Sequence, residues 1–118
     1  MSKIFSSGSI QSLGYSTSET YTGERWIDGS KIYRKVFNIG TVTSDSYDVA
    51  HNISNLSLII GIYGITALEK FYINSLPYYK GNLYIIPMVV GSNIHIDKNN
   101  GNNYYSTYVI LEYTKTTG

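Results

Sequence analysis

The chain has no cysteine, so neither a disulfide nor a thiolate metal site can form. Charge is sparse: only 14% of its 118 residues are Asp, Glu, Lys or Arg, and the formal net charge is +1. So few cations imply no basic face able to hold nucleic acid by its phosphates, and no acidic tail is present. No apolar run approaches the roughly 18–20 residues a spanning helix needs, so no membrane insertion is expected. The opening MSKIFSSGSIQS has one Lys and no continuous apolar stretch, unlike a secretory signal. Good helix formers are scarce as well: Ala, Leu, Met, Glu, Lys, Arg and Gln together supply 25 residues.

What is present is a strand former's inventory. Val, Ile, Thr, Tyr, Phe and Trp make up 49 of the 118 residues, and β-branched and aromatic side chains suit a pleated, half-buried surface. One modest core fits this length and two do not. The expected fold is all-β: an antiparallel β-sandwich, jelly-roll-like, spanning residues 19–118. Residues 1–18 are rich in Ser, Gly and Thr without a period, and read as an arm or linker. That arm is either an attachment segment or a frayed terminus.

Strand patterns recur along the chain. Residues 20–27 and 31–39 flank Asp28-Gly29, a hairpin signal compatible with a two-residue turn or a longer loop with a bulge at Gly29. In the second strand Tyr33, Phe37 and Ile39 share a face with Lys35, and Ile32 and Val36 share the other with Arg34, so both faces are partly covered. Residues 48–57 show turn formers and no clean period. Leu56, Leu58, Ile60 and Ile62 then give a strand with an apolar even face, and Gly61 and Gly64 suggest a bulge or a close backbone approach. Residues 67–73 hold the one stretch able to make a helical turn, although Phe71, Tyr72 and Ile73 favour strand. Residues 82–90 are apolar on both parities, as in a strand buried on both faces, with Pro87 at an edge or bulge. Such doubled apolarity also implies an oligomer interface. Ile94 and Ile96 alternate with Asn93, His95 and Asp97, residues 99–103 read as a hairpin loop, and Thr107, Val109 and Leu111 mark one face of the last strand.

Candidate chemistry is thin. His51 and His95 lack a second His at ligand spacing, so no metal and no cofactor is expected. His95 and Asp97 share a strand face, which can orient an imidazole, but nothing marks a nucleophile. Glu19, Glu24 and Asp28 are close in sequence, yet Asp28 has a turn role to play. Tyrosine is conspicuous at 13 residues. Tyr78-Tyr79 and Tyr104-Tyr105 occupy loop-like positions near Asn and Gly. An apolar ring with a polar tip suits a recognition surface, and sugar rings stack on such rings while Asn amides hydrogen-bond hydroxyls. Tyr78, Tyr79, Asn102, Asn103, Tyr104 and Tyr105 are therefore the candidate ligand-binding residues, and the low net charge suits a neutral polysaccharide.

Four ordered pieces carry a family resemblance. Residues 14–35, containing Gly14-Tyr15-Ser16-Thr17-Ser18-Glu19 and Trp26-Ile27-Asp28-Gly29-Ser30-Lys31-Ile32-Tyr33-Arg34-Lys35, resemble the "YSTxE…WIDGKPIYRK" opening of a module widespread in tailed-phage and prophage structural proteins. Val49-Ala50-His51-Asn52-Ile53-Ser54-Asn55-Leu56 resembles its "VAHGISNLD". Tyr108-Val109-Ile110-Leu111-Glu112-Tyr113-Thr114-Lys115-Thr116-Thr117 resembles its closing "YVxLxYTKTT", and Leu76-Pro77 falls where the family often breaks. Asn52 replaces a usual Gly, a change that left-handed backbone tolerates; Ser30 and Gly118 also depart from the pattern.

The resemblance implies a trimeric β-sandwich from tail fibres, receptor-binding proteins or head fibres, located on the virion and joined to other virion proteins through the N-terminal arm. It implies no catalytic residue. Its motif positions imply structural roles: Trp26 as a core or interface anchor, Asp28 and Gly29 as the hairpin turn, and Tyr113 as the packed end of the last strand. Two functions follow as expectations: recognition of a host surface polysaccharide, or trimeric assembly as a head fibre or decoration module.

Overall fold

The structure, a computed structural model, describes residues 14–68 and 72–116. The described residues form nine strands and no helix: β1 (Thr20–Arg25), β2 (Lys31–Val42), β3 (Ser46–Ala50), β4 (Leu56–Leu68), β5 (Tyr72–Leu76), β6 (Tyr78–Lys80), β7 (Leu83–Val90), β8 (Asn93–Lys98) and β9 (Tyr104–Lys115). All pairings are antiparallel. One sheet has the order β1-β2-β9-β4-β5 and the other β3-β8-β7-β6. Phe37, Val42, Leu76, Val109, Leu111 and Tyr113 from the first sheet meet Ile85, Ile94 and Ile96 from the second in one core, a sandwich-like arrangement. The all-β expectation is met. Four chain crossings, β2 to β3, β3 to β4, β5 to β6 and β8 to β9, join the sheets, and the other connections stay within a sheet. Residues 1–13 of the expected arm, residues 69–71 of the possible helical turn, and residues 117–118 lie outside the described residues. Residues 14–18 already belong to the sheet region, because the Val36 amide donates to the Ser16 carbonyl at 2.9 Å and Arg34 lies 4.2 Å over the Tyr15 ring.

Strand β9 runs through the centre of its sheet, and its alternation is the expected one. Thr107, Val109, Leu111 and Tyr113 are fully buried. Ser106 takes a positive φ of 52°, which inserts a bulge and turns Tyr104 onto the same inner face. In β2 the inner face carries Tyr33, Phe37 and Ile39, and Lys35 spends its ammonium on the His51 carbonyl at 2.9 Å. On the outer face Arg34 Nε donates to Glu112 Oε2 at 2.9 Å, and the Tyr63 hydroxyl donates to the same oxygen at 2.8 Å. Both faces are covered, as the mixed pattern required.

Strand β4 departs from its simple alternation. Its register against β9 shifts between Leu56 and Ile59 and again between Ile59 and Gly61. Leu56, Ile59 and Ile62 therefore pack on the core while Leu58 is exposed. Each one-residue shift swaps the face of everything beyond it, so the apolar even face does not persist. Gly64 is a close approach: a Cβ there would fall 1.9 Å from the Tyr108 carbonyl oxygen.

Three further segments differ from their sequence patterns. Residues 46–50, read as partly irregular, form β3, an edge strand paired in full register with β8. Residues 99–103 are a crossing between sheets rather than a hairpin loop. Strand β7 is buried on one face only: Ile85 and Pro87 point inward, and Tyr84, Ile86 and Met88 are half-buried on the outer face. Pro87 lacks a ladder donor, and β6 stops opposite Ile85, so β7 is locally an edge at Pro87.

The motif positions are corners. Between β1 and β2 the Trp26 amide donates to the Ser30 carbonyl at 2.8 Å and the Gly29 amide to the Trp26 carbonyl at 2.9 Å. Gly29 has φ +90°, and Asp28 Oδ1 accepts the Ser30 amide at 2.9 Å, which holds that carboxyl below its usual pKa. This is the longer loop with a bulge at Gly29. Trp26 lies half-buried at the base of that turn and outside the core cluster, so of its two readings, core or interface anchor, the core one does not hold. A turn position simply does not point between the sheets. His51 is buried, accepting the Ile53 amide on Nδ1 at 3.0 Å, with Nε2 3.0 Å from the Gly91 carbonyl. Asn52 and Asn55 take φ of 56° and 58°, the left-handed backbone foreseen for Asn52. Tyr113 ends the core as expected. Its hydroxyl donates to Glu19 Oε1 at 2.7 Å, and burial raises its pKa, with Glu19 adding to the shift.

Candidate functional site

Strand alternation decides which candidate tyrosines can act together. Tyr78 and Tyr79 are neighbours in β6, so they point to opposite faces of the sheet. Tyr78 stands opposite Ile85 on the inner side. Tyr79 stands opposite Tyr84 on the outer side, where the two rings stack with centroids 6.1 Å apart. Tyr104 and Tyr105 are divided in the same way at the start of β9. Tyr104 is fully buried and donates its hydroxyl to Asn99 Oδ1. Burial, followed by the nearby Tyr78, pushes its phenol pKa up. A ring with no exposed surface cannot stack on a ligand, so Tyr104 leaves the binding set and becomes a support. Tyr105 is half-buried opposite Ala67, on the far side of the strand from Tyr104.

The 99–103 crossing is organised by Asn99. Its Oδ1 also accepts the Tyr84 amide at 3.0 Å, and its Nδ2 donates to Asn102 Oδ1 at 2.6 Å. Asn102 is thus engaged inside the loop, and Asn103 is exposed beside it. Both sit at the same end of the molecule as Tyr78.

At that end a cleft of about 590 Å³ opens between the two sheets. Its lining is Leu68 from β4, Asn74 from β5, Tyr78 and Lys80 from β6, and Leu83 from β7. It exists because β5 and β6 are the edge strands at which the chain crosses from one sheet to the other, and because β6 is only three residues long. Leu68 and Leu83 give apolar walls, Tyr78 a ring, and Asn74 and Lys80 polar heads. The volume lies within the range of small-molecule clefts, about 300–1,000 Å³. Of the six candidate residues, the structure brings only Tyr78 into this lining. Leu68, Asn74, Lys80 and Leu83 were missed, because no local pattern shows that β4 to β7 converge.

A second polar group lies on the outer face of the four-stranded sheet. His95 Nδ1 is 2.7 Å from Asp48 Oδ1, and Nε2 is 2.9 Å from Asp97 Oδ1. Ser46 Oγ is 3.4 Å from His95 Nε2. Ser, His and Asp thus meet, but Asp97 occupies the nitrogen a general base would need free. Hydrogen bonds to Asp48 and then Asp97 raise the His95 pKa, favouring the imidazolium. The group acts as a charge clamp on an open sheet face. Among the described residues no group of three His, Cys, Asp or Glu is placed to hold a metal ion. No described helix is long and apolar enough to cross a membrane.

Comparison with family models, curated proteins and solved structures returned no match. The functional reading therefore rests on the chain's own residues.

Proposed function

We propose that the chain is a non-enzymatic virion module of a tailed phage or prophage, of the tail-fibre or receptor-binding type. In this reading it is a β-sandwich that assembles as a homotrimer, joins other virion proteins through its N-terminal arm, and binds a bacterial surface glycan. The observation that carries the glycan is the cleft itself: an aromatic ring, two leucine walls and two polar heads, the mixture a sugar ring presents in complement. The motif resemblance supports the virion reading. A single such site binds weakly, at about millimolar Kd, and three on one trimer act by avidity. The test is binding of the purified chain to host cells and to their extracted polysaccharide. Wild type is expected to bind and Tyr78→Ala to lose binding; equal binding by Tyr78→Ala rejects the site.

A head-fibre or decoration module is the second reading, and a specific observation favours it. Apolar side chains remain on both outer faces: Ile65 and Ile73 on the five-stranded sheet, and Tyr79 and Val90 beside half-buried Ile86 and Met88 on the other. Patches of that kind mark contacts with other chains. An intact trimer that binds no host surface would select this reading.

A further inference from the structure

We propose that the sugar unit held in the cleft is anionic, its carboxylate or phosphate meeting the Lys80 ammonium while the ring lies between Leu68, Leu83 and Tyr78. This inference rests on the glycan-binding reading above. Its warrant is the distribution of partners among the described cations. Arg34 and Lys115 pair with Glu112 and Glu19 at 2.9 Å each. Arg25 donates to the Gly29 carbonyl at 2.8 Å and Lys35 to the His51 carbonyl at 2.9 Å. Lys98, its side chain only 1% exposed, donates to the Asn99 carbonyl at 3.1 Å with Asp45 3.6 Å away. Lys31 lies over the Tyr21 ring at 5.3 Å. Lys80 alone among the described cations has no such partner, and it is the one that lines the cleft.

The cleft's other polar groups agree. None of the described residues that line it is a carboxylate. The Tyr78 hydroxyl, also without a hydrogen-bond partner among the described residues, is a donor for the same anionic oxygens. The buried Lys98 lies on the neighbouring strand β8, its charge already met by the Asn99 carbonyl and Asp45. Ile85 stands opposite Tyr78 on one side and Lys98 on the other, placing all three in one inner row. The formal net charge of +1 predicts only a weak long-range field. Charge selection in a cleft is set at contact distance, where an unpaired ammonium between apolar walls outweighs the distant average.

The experiment is a methyl-NMR titration of the full chain, following Leu68 and Leu83. Methyl glucuronide, glucose 6-phosphate and methyl glucoside are added separately at fixed ionic strength. The expected result is that at least one anionic sugar binds roughly three- to tenfold more tightly than the glucoside. Which one does so tells carboxylate from phosphate. Lys80→Gln should erase the preference while leaving the glucoside titration in place, and Lys80→Arg should keep it. Equal binding of all three sugars, or a preference that survives Lys80→Gln, overturns the inference and leaves the glycan reading standing. If extracted host polysaccharide binds but no sugar shifts Leu68 or Leu83, the cleft assignment falls. Failure of the polysaccharide as well removes the glycan reading itself.

Discussion

At the scale of single residues, the chain places its few charges at particular junctions. Glu19 is drawn up by partial burial, but hydrogen bonds from Lys115 and Tyr113 outweigh this and hold its pKa below the usual value. Its stabilising contribution is therefore present above the unfolded carboxylate range and lost as pH falls through the lowered value. His95 runs the other way. Its folded pKa is raised, so its contribution is complete below the unfolded value of about 6.5 and disappears as pH rises through the folded one. The clamp lies on an open face, so the stability effect is small. The expected NMR titration of the His95 ring has a midpoint above that of a free histidine, and Asp48→Asn brings it down; an unshifted midpoint rejects the clamp. Trp26 permits a second prediction. As a half-buried turn residue outside the core, its replacement by Ala should cost about 1–2 kcal/mol in urea unfolding, well below the roughly 3–5 kcal/mol of a core Trp. A loss in the core range would place Trp26 in a subunit contact instead.

At the scale of elements, β4 is the strand on which the fold turns. It pairs with β9 on one side and β5 on the other, and its bulges bring Leu56, Ile59, Ile62 and Leu68 to bear on the core. Gly64 lets β4 reach β9. Gly64→Ala drives a Cβ onto the backbone oxygen of Tyr108, which cannot move without parting the two strands. A loss of about 3 kcal/mol or more is expected in urea unfolding, whereas Gly61→Ala, whose added Cβ meets only the Tyr63 ring at 3.9 Å, should cost clearly less. Equal losses would mean that the β4–β9 approach is looser than described.

At the scale of the whole molecule, two antiparallel sheets of five and four strands enclose one core and leave apolar side chains outside it. Ile73 is 74% exposed and Tyr79 69% exposed. If the proposed homotrimer forms, light scattering at micromolar protein should return three times the 13.2 kDa chain mass, and Ile73→Glu or Tyr79→Glu should weaken assembly at whichever face is buried. A monomer mass at that concentration rejects the trimer, and with it the avidity on which weak sites depend.

What the amino-acid order determined alone was what short-range physics controls. The abundance of β-branched and aromatic residues dictated the fold class, and strict alternation named the inner face of β9. Turn chemistry located Asp28-Gly29, and a preference for left-handed backbone was legible in Asn52. Tyr78 and the 99–103 segment could be singled out by composition, but not whether their rings were free. That was decided by tertiary structure. Bulges at Gly61 and Ser106 changed which side chains faced inward, so Tyr104 became a buried support. The cleft is lined by residues from four strands, 68 to 83 in the chain, brought together only by the β5–β6 crossing between sheets. Lys80 looks like any surface lysine in the sequence. Its solitude is a property of where every other described cation found a partner, and such a property exists only once the chain has closed on itself.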